Sequence, residues 1–157
     1  MQKITTFLTF GTQAEEALNF YTSVFKNSKI GDVRRYGSTG PGVPGSFMTG
    51  TFEIEGQQFM VLNAGSDFGF APGISLFVDC KTQEEVDHLW EKLSDGGTIQ
   101  QCGWLQDKFG VSWQIIPGEL MKMMGDKDPV KTERVMKAMM QMVKLDIKKL
   151  QQAYAEA

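Results

Sequence analysis

Few side chains in this sequence could act as an acid, a base, a nucleophile or a metal ligand. The 157 residues include one histidine, His88, and two cysteines, Cys80 and Cys102. His88 shares a helical angle with Glu84 and Glu91, so we expect it on the solvent-facing side of a helix, without a catalytic role. We expect Cys80 to be a small buried apolar residue and Cys102 to be structural. One exposed histidine cannot complete a Ser–His–Asp arrangement.

Two segments with the same strand and helix pattern would position these residues. Residues 4–10 and 74–80 are dense in β-branched and aromatic side chains, which indicates strands. A threonine follows each strand, and a glutamate stands three positions later, which is the spacing of a helix-capping box. Apolar residues at three- and four-residue spacing then predict a helix after each strand. The two capping boxes are Thr12 with Glu15 and Thr82 with Glu85.

Further strand-like runs follow each helix. In chain order they cover residues 30–36, 47–54, 58–63, 99–104 and 111–116. Glu55-Gly56 predicts a hairpin turn in the first half. The second half is shorter by one strand, and we suspect a weak strand around residues 97–101. The chain therefore repeats one strand–helix–strands unit, which predicts an α+β fold.

The segment Gly37–Gly45 is rich in serine, threonine, glycine and proline, which predicts a loop. One interpretation is a solvated connector between two strands. The other is a flap over a pocket, because long loops in compact domains are often functional.

The C-terminal segment differs from the body of the chain. Asp128-Pro129 is typical of a helix start, with a capping acid and a proline at the first helical position. The following 28 residues contain neither glycine nor proline, so we expect one long helix of about 40 Å. It would pack along the body or a partner subunit, or it would be a surface helix that frays after Leu150. Its apolar stripe consists of Met136, Met140, Val143, Ile147, Leu150 and Tyr154.

Composition restricts the class of protein. Apolar residues make up 41% of the chain, charged residues 22%, and the net charge is −3, as in ordinary globular proteins. No basic patch indicates nucleic-acid binding. No apolar run approaches the roughly 20 residues that span a bilayer, and the N-terminus lacks the apolar core of a signal peptide. With two cysteines only, we expect reduced thiols and a cytoplasmic location.

One run resembles the signature of the PhnB-like proteins: Cys102–Pro117, CGWLQDKFGVSWQIIP. These proteins also carry the label 3-demethylubiquinone-9 3-methyltransferase domain, and they belong to the vicinal oxygen chelate (glyoxalase/bleomycin resistance) superfamily. Residues 14–21, 74–80 and 134–139 agree with the same family, so the resemblance covers essentially the whole chain. It implies two βαβββ units whose mixed sheets curl around a cavity, usually in a homodimer.

The predicted organisation is a single vicinal-oxygen-chelate-like α+β domain over residues 1–157. Residues 1–65 form its first half, residues 72–118 its second half, and residues 119–157 a helical C-terminal extension. We expect a homodimer as the assembled form.

The resemblance also identifies positions at which superfamily enzymes hold a divalent metal through histidine and glutamate. Matched by strand and helix landmarks, these positions are occupied by Thr5 (or Thr6), Phe59, Gly73 and Gln114. None is His, Glu, Asp or Cys, and one glutamine amide cannot hold a divalent metal. We therefore expect neither a metal nor another cofactor.

If those positions face the cavity, alternation along the strands adds their neighbours. The wall would be mostly apolar with a few hydrogen-bonding groups, as in small-molecule pockets. The alternative is a filled core with satisfied polar groups. The predicted ligand-binding residues are Thr5, Phe7, Thr9, Phe59, Asn63, Ser75, Phe77, Ser112 and Gln114.

Four functions remain in competition. The favoured one is a metal-free protein that binds a small, partly apolar molecule, or an enzyme that needs no cofactor. A metal-dependent lyase, isomerase or dioxygenase is disfavoured by the missing ligands. A methyltransferase is disfavoured because no nucleotide-binding strand–loop–helix is present. The fourth is a dimeric interaction protein without a ligand. Asn63 and Gln114, predicted to project into the same space, favour the first, and no catalytic residue is assigned.

Overall fold

The computed structural model describes residues 2–156, so the predicted bounds at residues 1 and 157 lie outside the described residues. The chain divides into two compact units, Met1–Gly69 (unit 1) and Phe70–Ala157 (unit 2). Each contains a four-stranded mixed sheet with a helix packed on one face, and neither sheet closes on itself. The predicted α+β fold with two βαβββ repeats is confirmed.

Unit 1 has the strand order β1-β4-β3-β2, in which β1 and β4 are parallel and the other neighbours antiparallel. Glu55 and Gly56 both have positive φ, 50° and 80°, which is the conformation of the predicted hairpin turn. The elements are β1 (Thr6–Phe10), α1 (Ala14–Val24), β2 (Ser28–Arg35), β3 (Phe47–Ile54) and β4 (Gln57–Asn63).

Helix α1 packs an apolar face on this sheet. The ring of Tyr21 on α1 stacks on the ring of Phe52 with 5.9 Å between centroids, and the Phe52 ring stacks on that of Phe59 at 5.1 Å. These stacked rings join the helix to β3 and β4, since aromatic pairs contribute beyond the area they bury. The buried residues of α1 are Ala14, Ala17, Leu18, Tyr21 and Val24.

The start of α1 differs from the prediction. The expected capping box of Thr12 and Glu15 is wrong, because Gln13 holds the N-cap position without a side-chain hydrogen bond. The amide of Ala14 instead donates to Asn63 Oδ1 at 2.8 Å, from the end of β4. The acceptor at the start of α1 is therefore Asn63, which is distant in the chain, and not the neighbouring Thr12 that the sequence predicted.

Unit 2 repeats this order as β5-β8-β7-β6, with β5 and β8 parallel. Here the capping box is confirmed: Glu85 N donates to Thr82 Oγ1 at 3.2 Å, and Glu85 Oε2 accepts from Lys81 N at 2.8 Å. The suspected weak strand exists as two residues of β6. The elements are β5 (Ser75–Cys80), α2 (Gln83–Ser94), β6 (Thr98–Ile99), β7 (Trp104–Gln106) and β8 (Ser112–Pro117).

The turn between β7 and β8 is built around a buried carboxylate. Asp107 is 3% exposed. Its Oδ1 accepts from Phe109 N at 2.9 Å and Val111 N at 3.0 Å, and its Oδ2 accepts from Trp113 Nε1 at 2.9 Å. A charged acceptor with three donors can remain buried, which explains the Asp-x-x-Gly-x-x-Trp spacing of this run.

The C-terminal extension is helical, but the single long helix is wrong. It forms α3 (Gly118–Met124), α4 (Pro129–Met140) and α5 (Ile147–Ala155). Asp128 caps α4 as predicted, and Asp146 starts α5 by accepting from Lys149 N at 3.1 Å. Leu145, between α4 and α5, is fully buried. The apolar core of this extension consists of Ile116, Leu120, Met123, Val135, Leu145 and Leu150.

Hydrogen bonds to the rest of unit 2 hold the segment between α4 and α5 out of helical conformation. Gln83 at the start of α2 donates to Leu145 O at 3.0 Å and accepts from Ile147 N at 2.8 Å. Lys144 contacts Asp87 at 2.8 Å. The hydrogen bonds from Lys144 and then from Gln83 lower the pKa of the Asp87 carboxyl from its usual value.

Residues 2–156 include no helix with both the length and the hydropathy needed to cross a bilayer.

Candidate functional site

The sheet of unit 2 has one face under α2 and one face turned away from it, which we call the open face of unit 2. On the helix side, Cys80, Trp113 and Ile115 are at most 3% exposed. The alternate residues lie on the open face because side chains alternate along a strand. Parallel pairing places Ser75 opposite Ser112 and Phe77 opposite Gln114. These four residues therefore lie on one face, and their role in binding a ligand stays a prediction.

Gln114 is the polar centre of the open face. Its Nε2 donates to Ser75 Oγ at 2.9 Å. Among the described residues the side-chain amide of Gln114 makes no other hydrogen bond, so its carbonyl oxygen and the Ser75 hydroxyl proton remain available. The pair can therefore accept one hydrogen bond from a ligand and donate another.

Aromatic side chains flank Gln114 on both sides. Phe77, its neighbour on β5, is 49% exposed, and Trp104, its cross-strand neighbour on β7, is half-buried. The register of Trp104 opposite Gln114 puts Trp104 on the open face. The signal that could have placed it is the turn at residues 107–110, because the β7–β8 hairpin sets that register.

A small recess adjoins the polar pair. Its volume is 80 Å³, and Ser75 and Ser112 lie at its edge. A recess of this size accepts a small apolar group and not a whole molecule. Its other lining residues are Phe70, Ala71, Ile74, Leu76 and Val111.

In unit 1 the predicted pocket residues divide between the two faces of the sheet. Phe7, which is 47% exposed, lies with Thr5 and Thr9 on the face turned away from α1. Phe59 and Asn63 lie beneath α1, since Phe59 is buried in the ring stack and Asn63 caps the helix. The prediction that Asn63 and Phe59 share a face with Phe7 is therefore wrong.

The reason is an offset of one residue. Pairing of Phe7 with Met60 in unit 1 corresponds to pairing of Phe77 with Gln114 in unit 2. Met60, and not Phe59, is the counterpart of Gln114. A shift by one position along a strand moves every side chain to the other face, so the whole β4 set was assigned to the wrong side.

The positions that the resemblance assigned to a metal ion carry no set of metal ligands. The Gln114 amide is hydrogen-bonded to Ser75, Met60 stands at the counterpart position in unit 1 with only a thioether, and Gly73 has no side chain. Among residues 2–156 no three His, Cys, Asp or Glu side chains come together in a group suited to a metal ion.

The residues with intrinsic reactivity lie away from the open face. His88, expected on the solvent-facing side of its helix, is half-buried on α2 and has an interaction with its surroundings. Cys80 is buried under α2 as expected; burial, followed by the charges of Glu85 and Asp79, raises the pKa of its thiol to about 12. Cys102 Sγ donates to Met139 O at 3.6 Å and so has a structural contact. The open face thus presents hydroxyl and amide groups, while the one histidine and the two cysteines have other surroundings.

Comparison with known proteins gives consistent matches. The family model described as 3-demethylubiquinone-9 3-methyltransferase matches residues 2–116. The PhnB protein from Bacillus cereus is 46% identical, with 72% of this chain and 97% of that chain covered and a TM-score of 0.67. Protein PA1353 from Pseudomonas aeruginosa is 18% identical, with 72% and 95% covered and a TM-score of 0.60, which shows the shared fold.

A glyoxalase/bleomycin resistance protein from Albidiferax ferrireducens is 16% identical, with 69% of this chain and 92% of that chain covered and a TM-score of 0.43. No curated protein matches the sequence.

Proposed function

Because the chain belongs to the 3-demethylubiquinone-9 3-methyltransferase (PhnB-like) family, with a glyoxalase/bleomycin-resistance-like fold, we propose that it binds a small, partly apolar molecule without a metal ion. The site is the open face of unit 2. The protein either binds this molecule for storage or delivery, or is itself an enzyme that converts it without a cofactor.

The observation that carries this proposal is the hydrogen bond between Gln114 and Ser75. It turns one acceptor and one donor toward the open face at the place where superfamily enzymes put a metal-binding carboxylate. Phe77 and Trp104 supply apolar surface on either side, and the recess beside Ser75 accepts an apolar substituent. A carbonyl or hydroxyl on a flat apolar body matches this arrangement.

The first experiment identifies the ligand and the metal content. Protein purified without chelator is analysed by native mass spectrometry and by elemental analysis. We expect an organic molecule and no tightly held metal. One equivalent of a divalent metal per chain that survives dialysis contradicts the proposal. S-adenosylmethionine, added as a probe because the family's description names a methyltransferase, is expected not to bind.

The second experiment places the ligand. Gln114→Leu should weaken binding of the co-purified molecule by about 1–3 kcal/mol, since its polar group loses a partner. Gln101→Leu is the matched control, because Gln101 is exposed in the β6–β7 turn. Equal affinity of the Gln114→Leu and Gln101→Leu variants for the ligand would show that Gln114 does not contact the ligand.

The expected homodimer and cytoplasmic location stay predictions. Apolar side chains on α4 support a dimer: Met136 is 39% and Met140 61% exposed, and symmetric pairing commonly covers such surface. Sedimentation equilibrium decides the question, and a single 17.5 kDa species at micromolar concentration contradicts it.

A further inference from the structure

Unit 1 contains a cavity that is separate from the open face of unit 2. Its volume is 440 Å³, within the range of small-molecule sites. It lies beyond the carboxyl ends of the parallel strands β1 and β4, which is where open sheets with helices bind ligands. The segment between β2 and β3 forms its outer wall. The loop Gly37–Gly45 thus lines a cavity, which favours its interpretation as a flap.

The floor of this cavity is formed by Tyr36, Phe47 and Asn63, and the side-chain polar groups of this floor are hydrogen-bonded within unit 1. The hydroxyl of Tyr36 donates to Asn63 O. The Asn63 side chain accepts from Ala14 N and donates to Phe47 O at 3.3 Å. Because each of these groups has its partner within unit 1, the floor offers a ligand the faces of Tyr36 and Phe47 and not further hydrogen bonds.

Charge is confined to the rim. Arg35 Nη2 lies 2.7 Å from Glu15 Oε1, and Nη1 lies 3.5 Å from Oε2. The two side chains are 49% and 44% exposed. Ion pairs this exposed contribute little to stability, so a ligand can separate them at small cost if it replaces both partners.

The outer wall is apolar and closely fitted. Pro41 and Val43 line the cavity, and Val43 is 75% exposed. Gly42 lies against the Tyr36 ring so closely that a Cβ would come within 2.0 Å of it. A ligand side chain placed between Val43 and the edge of the buried Tyr36 ring would cover the apolar surface of Val43 that is now exposed.

We propose that this cavity binds a small zwitterion with an apolar side chain, a free α-amino acid or a close analogue. The ligand carboxylate pairs with Arg35, the ligand ammonium pairs with Glu15, and the apolar side chain lies between Val43 and Tyr36. A molecule with one charge only satisfies one member of the pair and leaves the other without its partner. This site is independent of the function proposed for unit 2.

Isothermal titration with L-leucine tests the proposal. We expect saturable binding, and binding at least about tenfold weaker for 4-methylpentanoate, which lacks the ammonium, and for 3-methylbutylamine, which lacks the carboxylate. Absence of saturable binding by L-leucine overturns the proposal. Equal affinity for the three probes also overturns it, since the paired charges would then have no role.

Variants locate the site. Arg35→Gln and Glu15→Gln should each weaken L-leucine by about tenfold or more. Gly42→Ala should do the same by displacing the loop, whereas Gly37→Ala, where a Cβ meets nothing within 4 Å, should bind as the unchanged protein does. If Gly42→Ala does not fold, the two charge variants still decide, and unchanged binding by both contradicts the proposal.

Discussion

Units 1 and 2 share one strand order, yet they stabilise it differently. In unit 1 the strands β2, β3 and β4 have 8, 8 and 7 residues, whereas their counterparts β6, β7 and β8 have 2, 3 and 6. Unit 1 therefore relies on long strand pairing and on stacked rings beneath α1. Unit 2 has few ladder hydrogen bonds in its hairpin and relies on side chains and on the C-terminal helices.

The hairpin of unit 2 is connected to the segment between α4 and α5. Cys102 N donates to Met142 O at 2.9 Å, and Gly103 N donates to Val143 O at 2.8 Å. The corresponding connection in unit 1 is the long loop beside the cavity. The difference teaches that the same connection can line a cavity in one repeat and support a helical segment in the other.

The open face of unit 2 also differs from the corresponding face of unit 1, which is turned away from α1. Their central cross-strand rows are Phe7–Met60–Thr51 in unit 1 and Phe77–Gln114–Trp104 in unit 2. An exposed phenylalanine is common to both rows, but only the second row carries an amide. The amide on which the proposed ligand site depends is therefore present in unit 2 alone of these two rows.

The largest expected effect separates the two β-turns. Asp107→Ala should lower the free energy of unfolding by about 3–5 kcal/mol, because it leaves the buried Val111 and Trp113 N–H groups without an acceptor. Glu55→Ala in the corresponding turn of unit 1 should cost about 1 kcal/mol or less, since its side-chain hydrogen bond is exposed. Urea unfolding measures both. Similar losses would show that the β3–β4 turn is as dependent on its side chain as the β7–β8 turn.

A glycine pair tests the two loops. Gly103 and Gly45 have φ of 83° and 86°, so alanine is strained at both, by about 1–2 kcal/mol. Only at Gly103 does a Cβ collide, at 2.9 Å from Ile115 O and 3.1 Å from Leu145 Cδ1, whereas at Gly45 it meets nothing within 4 Å. Gly103→Ala should therefore cost about 1–3 kcal/mol more than Gly45→Ala. Equal decreases in melting temperature for the two variants would mean that the residues around Gly103 move aside without a measurable cost.

The two helix starts provide the third comparison. Asn63→Ala removes the acceptor of Ala14 N and the donor to Phe47 O, and should cost about 2 kcal/mol. Thr82→Ala removes one local cap and should cost about 1 kcal/mol. Chemical unfolding measures the difference, and hydrogen exchange of the Ala14 amide should accelerate only in the first variant. A larger loss for Thr82→Ala than for Asn63→Ala would mean that the local cap of α2 stabilises the protein more than the distant cap of α1.

The smallest effect concerns pH. Cys80 and Phe10 are counterparts under the two helices, and only Cys80 can ionise. Its folded pKa of about 12 lies above the unfolded value of 9.0, so its contribution is complete below pH 9 and is lost as pH rises through that window. Between pH 8.5 and 10 the loss is about 1 kcal/mol. Cys80→Ala should lose less stability over this interval than the unchanged protein does. Equal slopes for the two proteins would contradict the raised pKa.

Particular residues show how far the sequence leads. The Thr82–Glu85 box, the Glu55-Gly56 turn and the Asp128 cap were predictable because the groups involved are close neighbours along the chain. The same spacing misled at Thr12, where Asn63 provides the cap instead. The end of α4 was also missed, because absence of glycine and proline does not prevent Gln83 and Asp146 from ending and restarting a helix.

By itself the sequence determined the repeated α+β order, the open-face set around Gln114 and the family. Alternation, capping and turn geometry are local rules, and they act on residues a few positions apart. Tertiary structure decided which face β4 presents, which residue caps α1 and where the C-terminal helix breaks. Each of these depends on a hydrogen bond or packing contact between residues about 50 or more positions apart, such as Asn63 with Ala14 and Gln83 with Leu145. A one-residue uncertainty in strand register is enough to reverse such an assignment.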